Sequence, residues 1–255
     1  MVYGRIPVLE CLKARRRRPS RLFVQVTAKG VDDVLAAAKG VPVEHVDRVT
    51  LDRMTHAGIH QGVVLETELA PVLDLEDLLE GGLAADAFVV ILDSVEDPHN
   101  FGAIARSAAA CGAAGLIFAK DRSAPLSPTA VKAAAGAMDW ISLIRVTNLA
   151  RAIEALKKAG FWVAALDAAA DRTIWNADLS GRIALVVGNE GEGIRRLVRE
   201  KCDFAVSIPL VGEITSLNAS VSAGIALAEC RRRRWTKEKG IGNGVTKPQT
   251  PAPKP

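Results

Sequence analysis

The stretch FVVILDSVEDPHNFGAIARSAAACGAAG, residues 88–115, decides the fold class of this chain of 255 residues. Its first five residues are apolar and include three β-branched side chains, which predicts a short buried strand. A polar segment follows, and then an Ala- and Gly-rich run predicts a closely packed helix. Asn100 stands where we expect the helix N-cap, and Arg106 lies six residues later. In α/β proteins, a polar segment between a strand and a helix is a place where binding sites form.

The same alternation of strand and helix signals continues along the chain. Further strand candidates are GLIFA, ISLIRV, FWVAALD, IALVVG and FAVSIPL, and each is followed by a helical run or a polar loop. Strands that alternate with helices favour a mostly parallel sheet that is covered on both faces. We therefore predict an α/β fold.

Composition changes along the chain suggest two domains. We predict a smaller N-terminal α/β domain over residues 1–69 and a linker with a short helix over 70–85. The larger domain spans 86–235. Residues 236–255 are rich in Lys, Pro and Gly and nearly free of large apolar side chains, which predicts a disordered basic tail.

Charge and cysteine usage narrow the class of protein. No apolar run approaches the roughly 18 residues that span a bilayer, and the N-terminus lacks the apolar core of a signal peptide, so we expect a cytoplasmic protein with no membrane partner. The four cysteines are far apart, which predicts buried free thiols and no metal site.

Two arginine runs stand out against a net charge of only +4. They span residues 15–18 and 231–234. A single run of this kind is often a solvated surface, but two of them favour an anionic polymer as the partner, because basic side chains neutralise phosphates.

A second candidate loop is the glycine-rich turn GNEGEG, residues 188–193. Glycines permit a tight turn and a close approach of backbone to a ligand. The spacing is not that of a dinucleotide-binding loop, and its two glutamates would repel a pyrophosphate. A plain strand-to-helix connection is the alternative interpretation.

A third candidate loop runs from Ile208 to Asn218, where Ser216 and Asn218 precede a helix of small residues. Taken alone, Ser216 could be only an N-cap and Asn218 only a polar residue of the first helical turn.

Taken in order, the three loops resemble the SpoU/TrmH family of RNA ribose 2′-O-methyltransferases. The matching motifs are N-x-G-x-x-x-R from Asn100 to Arg106, VVGNEGEG, and IPL…SLNASVSAGIALAE. YGRIPVLECL and HQGVVLE resemble the ends of the L30e-like RNA-binding domain found in the branch that methylates a guanosine of 23S ribosomal RNA. The resemblance implies a deep C-terminal trefoil knot of the SPOUT type, which sequence periodicity cannot show, and a homodimer.

The resemblance also implies roles for particular residues. S-adenosylmethionine would bind at Gly188, Asn189, Gly193, Leu166, Ile208 and Leu217. The catalytic set would be Arg106 with Asn100, Glu190, Ser216 and Asn218. Independently of the resemblance, the first arginine run predicts RNA contacts at Arg15, Arg16, Arg17 and Arg18, and His60 is predicted to contact RNA or simply to lie at the surface.

Methyl transfer to a ribose requires that a 2′-hydroxyl be positioned and deprotonated. Arginine stays protonated in proteins, so our hypothesis is that Arg106 stabilises a developing alkoxide or acts with an RNA phosphate. Glu190 or a water would then take the proton. His99 is expected to contact backbone or RNA rather than to act as a base.

Other functions stay open from the sequence. The substrate could be a transfer RNA, or the chain could be a non-catalytic RNA-binding protein of the same fold. A nucleotide-binding dehydrogenase is a weaker alternative, because the glycine spacing is wrong.

Overall fold

A computed structural model describes residues 1–121, 123, 126–213 and 215–239 of the chain. The described residues form two β-sheets, one built from each end of the sequence. Each sheet has its own apolar core.

The N-terminal sheet has the strand order β1-β4-β2-β3. Strands β2 and β3 are parallel, and β4 runs antiparallel to both β1 and β2. The elements are β1 (Val2–Tyr3), α1 (Arg5–Ala14), β2 (Pro19–Gln25), α2 (Asp32–Ala37), β3 (Val43–Val46), α3 (Arg48–Met54) and β4 (Val63–Thr67).

The larger sheet has the strand order β11-β9-β10-β6-β7-β8-β5, and all of its pairings are parallel. The α/β prediction is therefore confirmed. Its elements are β5 (Val72–Leu73), α4 (Leu75–Glu80), β6 (Phe88–Leu92), α5 (Pro98–Cys111), β7 (Gly115–Ala119), α6 (Pro128–Ala134), a 3-10 turn (Ala137–Asp139), β8 (Ser142–Val146), α7 (Leu149–Lys158), β9 (Trp162–Leu166), β10 (Ile183–Val187), α8 (Arg196–Arg199), β11 (Phe204–Val206) and α9 (Ala219–Glu238).

Strand β6 lies at the centre of the larger sheet and is buried on both faces. Phe88, Val90 and Leu92 belong to one apolar core, while Val89 and Ile91 belong to the core on the opposite face. A strand covered on both sides has no polar face, which explains why its sequence is a continuous apolar run.

Helix α5 begins earlier than the sequence suggested. Asp97 is the N-cap, because its side chain accepts a hydrogen bond from the backbone N–H of His99, and Pro98 occupies the first turn. The prediction of Asn100 as the N-cap is therefore wrong. Asn100 instead lies in the first turn of the helix, where its side chain is free to reach a neighbouring loop.

The segment 70–85, expected to be a linker with a short helix, contributes to the larger sheet. It holds β5, which pairs with β8, and α4, whose Leu75 and Leu78 are buried in the core. At the other end, α9 extends through Glu238, so the first three residues of the expected tail are helical. Residues 240–255 lie outside the described residues.

The second arginine run, residues 231–234, has a structural role in the fold. Arg232 and Arg233 both pair with Glu229. Arg234 is buried, lies over the Phe88 ring at 4.6 Å, and donates hydrogen bonds to backbone carbonyls of residues 86, 179, 181 and 230. Arg233 and Arg234 are therefore engaged within the fold, while the side chain of Arg232 stays 46% exposed, so the expectation that this run favours an anionic polymer remains a prediction.

The four cysteines are free thiols, and burial is as expected for Cys11 and Cys230, whereas Cys111 and Cys202 are only partly buried. Burial raises the pKa of the thiols of Cys11, Cys202 and Cys230 to about 11, so they stay protonated and unreactive near neutral pH.

None of the described helices is both long enough and apolar enough to cross a membrane.

Substitution by alanine should affect the free energy of unfolding differently at Gly102 of α5 and at Gly224 of α9. A Cβ on Gly102 would come within 2.6 Å of the Ala133 Cβ on α6, whereas a Cβ on Gly224 would lie 3.8 Å from the nearest atom, Oγ of Ser107. We expect Gly102→Ala to lower the free energy of unfolding by about 1–3 kcal/mol. Gly224→Ala should be neutral or stabilising by up to about 1 kcal/mol. Urea unfolding followed by circular dichroism measures both, and equal effects would contradict this account of the packing.

Candidate functional site

The site lies where the strand order of the larger sheet reverses. From β6 the chain proceeds to β7 and β8 on one side, whereas β10, β9 and β11 lie on the other side. Parallel strands end at the same edge of a sheet, and a crevice opens beyond the carboxyl ends at such a reversal. The loops that follow β6, β9, β10 and β11 therefore meet at this crevice.

A cavity of about 360 Å³ occupies the crevice. Its walls come from the loops after β9, β10 and β11, and from the first turns of α9. Every residue predicted to bind the cofactor lines this cavity, namely Leu166, Gly188, Asn189, Gly193, Ile208 and Leu217. The structure thus brings together residues that are up to 51 positions apart in the sequence.

Gly188 marks the closest approach of backbone to backbone in this loop. A Cβ at this position would collide with the carbonyl group of Gly193 and the amide nitrogen of Ile194. The turn is held closed by Asn189, whose backbone exchanges two hydrogen bonds of 3.2 Å with Gly193. Its side-chain Oδ1 accepts from the N–H groups of Gly191 and Glu192, at 2.9 and 2.7 Å. The side chain of Asn189 therefore shapes the turn.

Three of the predicted catalytic residues form one polar cluster. Oε1 of Glu190 accepts hydrogen bonds from Nδ2 of Asn100 at 2.7 Å and from Nδ2 of Asn218. It also accepts from the backbone N–H of Ala219 at 3.3 Å. Nδ2 of Asn218 further donates to Oδ1 of Asn100 at 3.0 Å. The start of α5, the glycine-rich turn and the residues that open α9 are therefore joined through a single carboxylate oxygen.

Glu190 lies at the border between two cavities. It lines the cavity described above and a second one of about 570 Å³ that Asn100, Asn218 and Ser94 also line. The two cavities are therefore neighbours that share part of the glycine-rich turn, including Glu190.

Asn218 also caps α9. Its Oδ1 accepts hydrogen bonds from the backbone N–H groups of Ser220 at 3.0 Å and Val221 at 3.3 Å. The capping role considered for Ser216 therefore belongs to Asn218. Ser216 is exposed and lines the first cavity. The amide of Asn218 is fixed at one end by the helix and at the other by Glu190.

Arg106 and His99 take no part in the hydrogen bonds of the polar cluster. Both side chains are exposed on α5, and neither residue lines either of the two cavities. Within the described part of the chain, Arg106 makes no hydrogen bond or ion pair. A single copy of the chain therefore does not bring Arg106 to Glu190.

Sequence reasoning missed Asp93, which is fully buried at the end of β6. Its Oδ2 accepts the backbone N–H of Arg195 at 2.8 Å, and its Oδ1 accepts Nε of the same residue at 2.7 Å. This pair ties the loop after β6 to the end of the glycine-rich loop. An acidic residue directly after a wholly apolar strand was the available signal, because a buried carboxylate requires a partner.

The predicted RNA-binding residues separate into two groups. Arg15, Arg16 and Arg18 are exposed. Arg17 is buried against Asp139, so its prediction as an RNA contact is wrong. The same holds for His60, which is buried, accepts the N–H of Gly62 at Nδ1 and contacts Asp52 through Nε2 at 3.1 Å.

Fold and site together define an α/β protein with a ligand cavity at the reversal point of a parallel sheet. Residues 87–228 match the family model described as SpoU rRNA Methylase family, and residues 1–72 match the model described as RNA 2′-O ribose methyltransferase substrate binding. The chain belongs to the SpoU methylase family, as the sequence motifs predicted.

Full-length relatives and a solved structure agree with this assignment. The chain is 44% identical over 206 residues to the 23S rRNA (guanosine-2′-O-)-methyltransferase RlmB of Pseudomonas putida, covering 80% of this chain and 82% of the relative. It is 40% identical over 242 residues to RlmB of Escherichia coli K12, with coverages of 92% and 98%. The SpoU methyltransferase AviRb of Streptomyces viridochromogenes, crystallised with AdoMet, superposes with a TM-score of 0.77 at 26% identity, covering 92% and 90%.

The Asp93–Arg195 pair predicts a stability effect that a neighbouring arginine should not share. Asp93→Asn removes the buried charge that holds two N–H groups, and we expect the free energy of unfolding to fall by about 2 kcal/mol. Arg196→Ala breaks only an exposed pair with Glu200 and should cost less than about 1 kcal/mol. Urea unfolding of both variants checks this, and a comparable loss in the two would show that the Asp93 pair does not hold the loops together.

Proposed function

We propose that this protein transfers a methyl group from S-adenosylmethionine to a ribose 2′-hydroxyl of RNA, with a guanosine of 23S ribosomal RNA as the substrate. The observation that carries the proposal is the joining of Asn100, Glu190 and Asn218 between two adjacent cavities. One cavity would hold the cofactor and the other the nucleotide. The guanosine follows from the 23S rRNA relatives, since the clustered residues address a ribose rather than a base.

The first cavity fits the proposed cofactor. Its volume of about 360 Å³ lies within the range of small-molecule sites. The side chains of Leu166, Ile208 and Leu217 supply apolar walls suited to an adenine ring. Close passage of the backbone at Gly188 leaves peptide groups, rather than a side chain, to meet the ligand.

The bound cofactor would supply the reactive methyl group, and the protein would position and activate the hydroxyl. Asn100 and Asn218 have their amide N–H groups engaged with Glu190, so they hold its carboxylate in one orientation. In our proposal this preorganised carboxylate is the acceptor to which the 2′-hydroxyl loses its proton.

The two oxygens of Glu190 would have different tasks. Oε1 is engaged by three N–H donors, from Asn100, Asn218 and Ala219. Oε2 has no hydrogen-bond partner among the described residues, and in our proposal it accepts the hydrogen of the ribose hydroxyl or of a water that relays it. The three donors make Oε1 a weaker acceptor, which favours Oε2 for this contact.

We propose that Arg106 acts in a homodimer. Arg106 is exposed and lines neither cavity of its own chain, and in our proposal a second copy brings its Arg106 to the nucleotide. The small residues of α9 and the half-exposed Val221 offer a surface for close subunit packing. There the guanidinium would stabilise the developing alkoxide or clamp an RNA phosphate.

We also propose that the larger domain contains the trefoil knot implied by the family resemblance. Support for the knot comes from the segment after β11, which lines the same cavity as the glycine-rich turn through Ile208, Leu210 and Leu217.

The exposed arginines of the first run would contact RNA. A ribosomal RNA substrate would place the protein in the cytoplasm.

For Arg106 we predict loss of catalysis with retained cofactor binding. Arg106→Lys keeps the charge but not the planar fork, and we expect the single-turnover methylation rate to fall about 100-fold. Calorimetry should show S-adenosylmethionine binding within about twofold of wild type, because Arg106 does not line the cavity.

Arg151→Lys, on the exposed part of α7, is the matched control and should methylate at the wild-type rate. A pH–rate profile of the Arg106→Lys protein adds a second measurement. Near wild-type rates for this variant would exclude a role that needs the guanidinium.

The substrate can be identified by mapping 2′-O-methylated nucleotides in cells with the gene, without it, and with it restored. We expect deletion to remove the modification from one guanosine of 23S ribosomal RNA and restoration to return it. Loss only in transfer RNA would support the transfer-RNA alternative instead.

No loss in any RNA, together with RNA binding and no calorimetric signal for S-adenosylmethionine, would indicate a non-catalytic RNA-binding protein.

A further inference from the structure

The first arginine run lies at the junction between the two sheets. It lies between α1 and β2, close to the short segment that connects the N-terminal sheet to the larger sheet. Only residues 68–71 separate β4 from β5. The backbone N–H of Glu68 and the hydroxyl of Thr67 both donate to the carbonyl of Arg18, at 3.4 and 3.2 Å. The connection is therefore short and fixed to the run at its start.

Arg17 crosses this junction. Its Nε and Nη2 donate to the two carboxylate oxygens of Asp139 in the 3-10 turn of the larger domain, the second at 3.0 Å. The side chains are 5% and 1% exposed. A two-point pair between planar groups fixes direction as well as distance.

Further contacts surround this ion pair. Nε1 of Trp140 donates to Glu10 on α1 at 3.0 Å, and Nη2 of Arg16 donates to Oγ of Ser142 at 3.0 Å. At Gly136, a Cβ would lie 2.7 Å from the Cβ of Glu10, so α1 packs directly on the backbone of the larger domain.

A buried ion pair contributes little net attraction, because each charge loses its hydration. Removal of one partner is costly, since it leaves the other charge buried alone. A role that fits such a pair is to favour one arrangement of two surfaces over others, because any arrangement that separates the partners leaves a charge buried alone. Between two domains, such a pair would favour one relative orientation of the domains.

We infer that the Arg17–Asp139 pair locks the two domains into one orientation, and that Arg17 is a positioning residue for the RNA substrate. RNA held on the exposed arginines of the first run is then kept at a fixed distance from Asn100 and Glu190. This inference rests on the proposed function for its effect on RNA, but the domain orientation itself is independent of it.

The test uses the full chain and three variants. Arg17→Met should increase the radius of gyration in small-angle X-ray scattering and speed proteolytic cleavage within residues 68–71. The KM for a 23S ribosomal RNA fragment should rise about tenfold or more, because the effective concentration of bound RNA at the site falls. The dissociation constant for S-adenosylmethionine should stay within about twofold of wild type.

The double variant Arg17→Met/Asp139→Leu separates a lock from a direct RNA contact. It removes both charges and should return the scattering and the KM toward wild type, since an apolar pair can replace a buried ion pair. Arg21→Met is the control, because Arg21 pairs with Glu44 at an exposed position inside the N-terminal sheet. It should change none of these quantities.

Unchanged scattering and KM in Arg17→Met would overturn the inference. A raised KM with unchanged scattering and proteolysis in Arg17→Met would also overturn it, in favour of direct RNA contact by Arg17. Where Arg17→Met does not fold, Asp139→Asn provides the same comparison. If the wild-type protein methylates no RNA, the proposed function fails, and scattering and proteolysis still test the lock.

Discussion

The site depends on the close passage of two backbone segments at Gly188. No side chain can stand between residue 188 and the peptide that joins Gly193 to Ile194. This passage closes the glycine-rich turn, and the closed turn places Glu190 beside the loops that carry Asn100 and Asn218. Buried Asp93 holds the far end of the same turn through Arg195. The geometry of the polar cluster thus follows from a steric condition on backbone atoms.

The strands of the larger sheet form its apolar core, and the polar residues of the site lie in the segments that follow those strands. Strand β6 is apolar on both faces and supplies no functional side chain within its span. Polar residues appear only after its last residue, at the edge where other parallel strands also end. The core fixes the positions of the loops, and the loops determine which polar atoms meet. Stability and function are therefore assigned to adjacent but separate parts of the chain.

Much of this arrangement could be predicted from the sequence. Composition and the alternation of strand and helix signals predicted the parallel sheet, and the resemblance of three motifs to the SpoU/TrmH family implied the residues that line the cavity. Local patterns could not distinguish Arg17 from its neighbours, because burial depends on Asp139, which is 122 positions away. The start of α5 was misplaced for a related reason. Asp97 and Asn100 are both good caps, and the position of Pro98 in the first turn decides between them.

Three loops share one oxygen of Glu190, and the two cavities share its carboxylate. Occupancy of one cavity that shifts this carboxylate must alter the affinity of the other. Thermodynamic linkage makes that influence equal in both directions, whatever its size. Under the proposed function, the cofactor and the nucleotide would therefore be coupled energetically through one shared carboxylate.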